Sequence, residues 1–460
     1  MGQASDIVGW RAWWIAALLL AAFLAVYAPA VGHGFIKDDF EWLAHSRVSS
    51  PSGLRAVFTR APSGFFRPVV SLSFAANLAA CGTASRCYGL TNMFLAAGCA
   101  VAVFLLARGL SLSAGAAIVA AEIWAFNWHG VHVALLWISG RTALLVTLCA
   151  TLAAAALVRR RVVLASVLTA AAMFSKEEAV LLPVIFAAWI GWDSRIGGEW
   201  RRADRVSLAI GSAVALAAYL VLRAQSGAFT PASAPPFYQF SLAPQTLAVN
   251  GVEYLDRSAT FAFVVFLVWM VMARPGRLTS ATRESALGFG ALWWMGTLAL
   301  TVFLPVRSSL YACLPSVGTA LIAAGLVDAA AAHVATARRL RAAAAVALVP
   351  VVLLPVYATR NGPLRREAEL STMTLEALTQ VARERGGGVT VVVHDDRSSN
   401  EPLVNPFGAF LPDAARLLVS PAMTVRLDPP PNGDAVAGRN VHERADVELA
   451  LRNGSIVRVE

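Results

Sequence analysis

The stretch "RTALLVTLCATLAAAALVRRR", residues 141–161, decides the fold class. No charged residue interrupts positions 142–158. A bilayer core takes about 20 apolar residues per spanning helix. A soluble helix instead shows its apolar residues on one face, at a period near 3.6. Here they go all the way round, and Arg159–Arg160–Arg161 closes the run as the end of a cytoplasmic loop.

Ten more blocks of this kind flank it: 11–31, 89–107, 112–128, 162–175, 178–192, 206–223, 259–273, 285–304, 309–327 and 342–358. Hydrophobic residues make up 57% of the 460, charged residues only 14%, and the mean hydropathy is +0.62. A soluble chain carries roughly a quarter charged residues. The expectation is therefore an α-helical polytopic membrane protein with about eleven transmembrane helices, in residues 1–358. A net charge of +10 is of the size found in nucleic-acid binders, but the arginines sit in short gaps between apolar blocks. Besides 159–161 these are Arg201, Arg202 and Arg205, then Arg274, Arg277 and Arg283, then Arg338, Arg339 and Arg341. This is the positive-inside pattern, so the charge reports topology and no nucleic acid is expected. With the N-terminus inside, segments 32–88 and 224–258 and the C-terminal tail fall outside. The first block is read as an uncleaved helix, although Ala28-Pro29-Ala30 resembles a signal-peptide cleavage site.

Residues 359–460 regain charge and form a small α/β extracytoplasmic domain. A helix is predicted over 363–384, and "GGGVTVVVHDD" reads as the buried strand that follows it. "DVELALRNGSIVRVE" alternates around Asn453-Gly454, a hairpin signal. "HDDRSSNE", residues 394–401, reads as a polar loop after a strand. Cys99, Cys149 and Cys313 lie in apolar runs as packing residues. Cys81 and Cys87 fall on the outer side, where a bridge between them can persist.

Ionisable residues at the ends of membrane helices are functional candidates. Asp38 and Asp39 follow the first block in "GHGFIKDDF", residues 32–40. His129, His132 and Arg141 lie between the third and fourth blocks. Lys176, Glu177 and Glu178 lie between the fifth and sixth, and Arg307 follows the ninth. A carboxylate removes a proton from an attacking hydroxyl or holds a divalent cation. Arginine and lysine clamp phosphate. Together these groups suit transfer from a lipid-linked phosphate donor to a hydroxyl outside the membrane. Each has a plain reading too: a solvated helix end for Asp38-Asp39, packing for the H-x-x-H pair, interfacial anchors for Arg141 and Arg307, and a turn for "SKEE". Glu122 lies within a span and either pairs in the bundle or is neutral.

The stretches "FIKDDFEWL", "FFRPVVSLSFAANLAACG", "YGLTNMFLAA", "WHGVHVALLWISGRTALL", "FSKEEAVLLPVIF" and "RSSLYACLPSVG" occur in that order. Over residues 30–325 the chain resembles the GT-C glycosyltransferases. Within them it is most similar to the transmembrane and tetratricopeptide-repeat O-mannosyltransferase group and its bacterial relatives, without the repeats. The resemblance implies Asp38 and Asp39 as the catalytic carboxylates, acting as base or metal-binding group, with a divalent cation (Mg2+ or Mn2+) optional. It implies Arg141, Lys176, Arg307 and Arg67 on the donor phosphate, with His129, His132 and Glu177 in support. Gly130 stands where the family pattern has proline. The implied activity uses a polyprenyl-phosphate sugar donor and a protein, lipid or glycan acceptor, at the outer face of a bacterial cytoplasmic (inner) membrane. A lipid-linked sugar transporter or flippase, and a glycan ligase of the same fold, remain the alternatives.

Overall fold

A computed structural model describes residues 17–48, 50–230, 232–275, 284–395, 402–429, 445–452 and 455–459. Among the described residues each apolar block contains a helix. In chain order these are α1 (Ala17–Tyr27), α2 (Asp38–His45), α3 (Pro51–Val57), α4 (Pro68–Cys81), α5 (Ser85–Gly109) and α6 (Ala114–Ala125). Next come α7 (Gly130–Leu136), α8 (Arg141–Val158), α9 (Val162–Met173), α10 (Leu182–Arg195), α11 (Arg202–Gln225) and α12 (Pro244–Ala273). The last membrane-region helices are α13 (Glu284–Leu298), α14 (Ser316–Ala331), α15 (Thr336–Val352) and α16 (Leu354–Arg385). Among the described residues, six helical segments are long and apolar enough to cross a bilayer, and further apolar helices are shorter. Large apolar side chains face outward on several of them: Phe94, Val163, Val214 and Phe263 are 62–76% exposed. Apolar outer surfaces of this extent are those of helices solvated by lipid.

The opening stretch is the most enclosed: 78% of its apolar window is buried. It packs between α5 and α9. Small residues let backbones touch elsewhere. A Cβ on Gly318 of α14 would lie 2.5 Å from the Gly290 carbonyl oxygen of α13, so the two helices cross at the closest approach that glycine permits.

The segment 32–88 is largely helical. Its helices α2 and α4 share one hydrophobic core with the C-terminal domain, through Phe40, Trp42, Phe74, Leu378, Val391 and Phe407. Burying each such side chain contributes about 1.5–3 kcal/mol, which fastens the domain to the membrane region. The Cys81–Cys87 disulfide closes the end of α4.

Helix α16 runs from the membrane region into the C-terminal domain without a break, so the boundary expected between 358 and 359 falls inside it. The strands are β1 (Thr390–His394), β2 (Thr424–Asp428), β3 (Val447–Arg452) and β4 (Ser455–Val459) in the order β2-β1-β3-β4. β1 is parallel to both β2 and β3, while β3 and β4 form the antiparallel hairpin read from the sequence. Its Asn453-Gly454 turn, Arg277, Arg283 and most of "HDDRSSNE" lie outside the described residues. Two short helices, α17 (Val404–Phe407) and α18 (Leu411–Leu418), carry the crossover from β1 to β2.

Candidate functional site

A cavity of about 490 Å3 opens beside α2. A second lobe of about 190 Å3 continues it toward α11 and the end of α13. Phe65, Arg67, Lys176, Phe229, Tyr238 and Tyr311 line both lobes and form the waist between them.

The two aspartates have separate fates. Asp38, Asp39 and Glu41 occupy the first turn of α2, where the helix N-terminus favours negative charge. Asp38 is exposed into the larger lobe, and Glu41, one turn on, lines it too. Crowding raises the Asp38 carboxyl above its usual range, while Arg67 and Lys37 pull it back. Asp39 points the other way and is fully buried. Its Oδ2 accepts from the Ile36 amide at 2.9 Å, and its Oδ1 accepts from the Ser139 amide at 2.7 Å and from the Ser139 hydroxyl. Burial pushes this carboxyl up to about 7, against the pull of those donors. Asp39 thus pins α2 to the "WISGR" turn, and Asp38 alone of the pair faces the cavity.

The waist is cationic. Pro68 at the first position of α4 suits its fixed φ and missing amide hydrogen. It leaves Arg67 at the helix entry, under the cavity. Arg67 Nη2 lies 2.8 Å from Glu177 Oε2, and Arg67 Nε lies 3.1 Å from the same oxygen. The guanidinium also covers the Phe65 ring at 4.3 Å. Arg223 Nη1 approaches Glu177 Oε1 at 3.6 Å from the far side. Burial would raise the Glu177 carboxyl, but Arg67 and then Arg223 outweigh it and hold it below its usual range. Lys176 sits in extended backbone between α9 and a turn over Glu177–Leu181. Its Nζ lies 2.7 Å from Glu178 Oε1 and 4.6 Å above the Tyr311 ring. Beyond that ion pair the ammonium has no hydrogen bond among the described residues, and it is buried at the cavity wall. The waist itself thus carries two cations, Arg67 and Lys176, with Glu177, Glu178 and Arg223 beside them in the second lobe.

The other sequence candidates lie elsewhere. Arg141 is fully buried at the start of α8 and does not line the cavity. It donates to Asn92 Oδ1 at 3.0 Å, the Tyr88 carbonyl at 3.0 Å and the Ser73 hydroxyl at 3.2 Å, and covers the Phe74 ring at 4.6 Å. It ties α4, α5 and α8 together and does not reach a phosphate in the cavity. Arg307 is 42% exposed and pairs with Glu253 of α12 at 2.7 Å, while its neighbours Val306 and Ser308 line the cavity. His132 is buried, its Nε2 hydrogen-bonded to Asn361 Oδ1 and its ring beside Tyr27 and Tyr357. His129 lies 3.5 Å from Asp256 and 3.4 Å from Arg360. Burial lowers both histidines to about 4, so they are neutral at physiological pH. They pack the membrane helices against α16 and do not join the cavity.

The quoted stretches nevertheless converge. A Cβ on Gly130 would lie 2.6 Å from the Cys313 amide nitrogen, so glycine there lets the "WHGVH" turn rest on the "LYACLPSVG" backbone. Trp124 Nε1 donates to the Cys313 carbonyl at 3.0 Å. Sequence reasoning did not single out Glu41, Arg223, Trp137, Tyr238 or Phe410. Glu41, three residues after Asp38, was legible as the same helix face. Arg223 and Phe410 reach the cavity only through tertiary packing.

Asp38 and Asp39 do not fit as a joint metal site, since both Asp39 oxygens are taken by protein donors. Among the described residues no group of three or more His, Cys, Asp and Glu side chains forms a metal cluster. Comparison of the chain with protein-family models, curated proteins and solved structures finds no match.

Proposed function

We propose that this membrane protein is a glycosyltransferase of GT-C type, taking a sugar from a polyprenyl-phosphate donor to an acceptor hydroxyl at the outer membrane face. The observation that carries this reading is the polarity of the cavity. An accessible carboxylate, Asp38, stands in one lobe, paired cations form the waist, and the second lobe is fringed by Phe240, Leu300 and Leu304. An amphiphilic phosphate fits that order, with its chain along the apolar fringe and its headgroup at Arg67 and Lys176.

In this reading Asp38 takes the proton from the acceptor hydroxyl as its oxygen attacks the anomeric carbon. The bond from that carbon to the phosphate oxygen breaks, with inversion, and the polyprenyl phosphate leaves with one more negative charge. Arg67 and Lys176 stabilise that charge where it develops. The raised Asp38 carboxyl is the stronger base for being crowded. Single-sugar and whole-glycan donors both fit this chemistry.

The test is transfer by the purified protein in nanodiscs, supplied with polyprenyl-phosphate mannose or arabinose and cell-envelope acceptor. Asp38→Asn is expected to slow transfer by about 100-fold or more with folding intact. Undiminished transfer by that variant would overturn the mechanism. Movement of the lipid-linked sugar across the bilayer without transfer would identify a transporter instead.

A further inference from the structure

We propose that the acceptor is itself a saccharide, held against an aromatic wall that the C-terminal domain completes with Phe410. This rests on the transferase reading above and names the substrate class for its open half. The larger lobe has two carboxylates, Asp38 and Glu41, beside Trp42, Trp137 and Phe410. A sugar ring has an apolar C–H face and a rim of hydroxyls. The face packs on aromatic rings, and the rim donates to carboxylates. The indole N–H of Trp137 is itself buried, so what Trp137 offers this lobe is its ring. A volume of about 490 Å3 lies within the usual range for small-ligand sites, about 300–1,000 Å3.

The position of Phe410 is built in. It precedes α18, and its amide donates to the Phe407 carbonyl at 2.9 Å. Phe407 stacks on Phe40 of α2 at 5.6 Å, and the Lys37 amide donates to the Pro406 carbonyl at 2.7 Å. Lys37 Nζ pairs with Glu367 of α16 at 2.6 Å, and the Ser371 hydroxyl donates to the Phe35 carbonyl at 2.7 Å. The helix that carries Asp38 and the turn that carries Phe410 therefore form one rigid unit. The C-terminal domain is a wall of the site, holding the acceptor ring over the base.

The experiment uses the full chain in nanodiscs and reads binding by saturation-transfer NMR, without turnover. The probes are α- and β-linked gluco-, manno- and galacto-disaccharides, with serine- and threonine-containing hexapeptides alongside. Ring C–H protons of at least one disaccharide are expected to receive saturation, and the hexapeptides none. Phe410→Ala is expected to weaken disaccharide affinity by about tenfold, and Phe410→Tyr to restore most of it. Hexapeptide binding without disaccharide binding, or no binding of either class, overturns the proposal. So does disaccharide binding indifferent to Phe410→Ala. Polyprenyl-phosphate binding, measured separately on the wild-type protein, separates the two readings. Disaccharide binding without lipid-phosphate binding sinks the donor assignment and supports the saccharide wall.

Discussion

Arg141 and Arg67 are both arginines at the entry to a helix, and their surroundings differ in kind. Arg141 is enclosed by neutral acceptors and aromatic rings, and faces no cavity. Arg67 is paired with a carboxylate, stacked on Phe65 and open to both lobes. A cation whose donors are spent on backbone and amide oxygens holds helices together. A cation whose partner is a carboxylate at a cavity wall can shift part of its attraction to an arriving phosphate.

The largest effect expected on folding is from the first of these. Arg141→Met strands the Asn92, Tyr88 and Ser73 oxygens, at a cost of about 3 kcal/mol or more. The measurement is thermal melting in detergent. A variant that melts normally but loses transfer would move Arg141 back to the donor site and dissolve the contrast. Arg67→Gln should instead leave the fold in place, since Arg223 still neutralises Glu177, and weaken polyprenyl-phosphate binding by about tenfold. Loss of folding rather than of binding would make Arg67 a second structural arginine.

The aspartates sharpen the same distinction. Asp39→Asn removes acceptor capacity from a site with three donors, and should cost about 1–3 kcal/mol. The sign of the pH effect follows from burial. An ordinary aspartate titrates near 4 (about 3.9), and Asp39 is pushed up to about 7 in the folded protein. Between those values the folded state binds the proton more tightly than the unfolded chain, so stability falls as pH rises through that window. The wild-type melting temperature is expected to be higher at pH 5 than at pH 8, and Asp39→Asn should flatten the profile. An unchanged slope in the variant would assign the titration to another group.

Arg307→Ala should do least. Its pair with Glu253 is exposed, and such pairs are worth about 0–1 kcal/mol. A tenfold loss of lipid-phosphate affinity on this change would restore the phosphate role that its place in the sequence suggested.

The apolar blocks were legible because a bilayer leaves the chain few solutions. Every buried backbone group must be bonded within its own helix, so composition alone marks the helix. The C-terminal hairpin was legible for an equally local reason, the alternation around Asn453-Gly454. β2 and the short α17 and α18 had no such signal. Their placement depends on packing against β1 and α2.

The sequence by itself determined a helical membrane protein with a small α/β domain at its end, and it set charged residues at the helix ends. Only the tertiary structure decided what those charges do. Asp38 and Asp39 are adjacent in sequence, yet the step of about 100° between neighbouring helix residues sends one carboxylate to a cavity and the other into three hydrogen bonds. Arg141, His132 and Lys176 are all buried, but only Lys176 lines the space where a ligand can sit. Apolar periodicity is a property of neighbouring residues, whereas a side chain's partners come from segments up to hundreds of positions away.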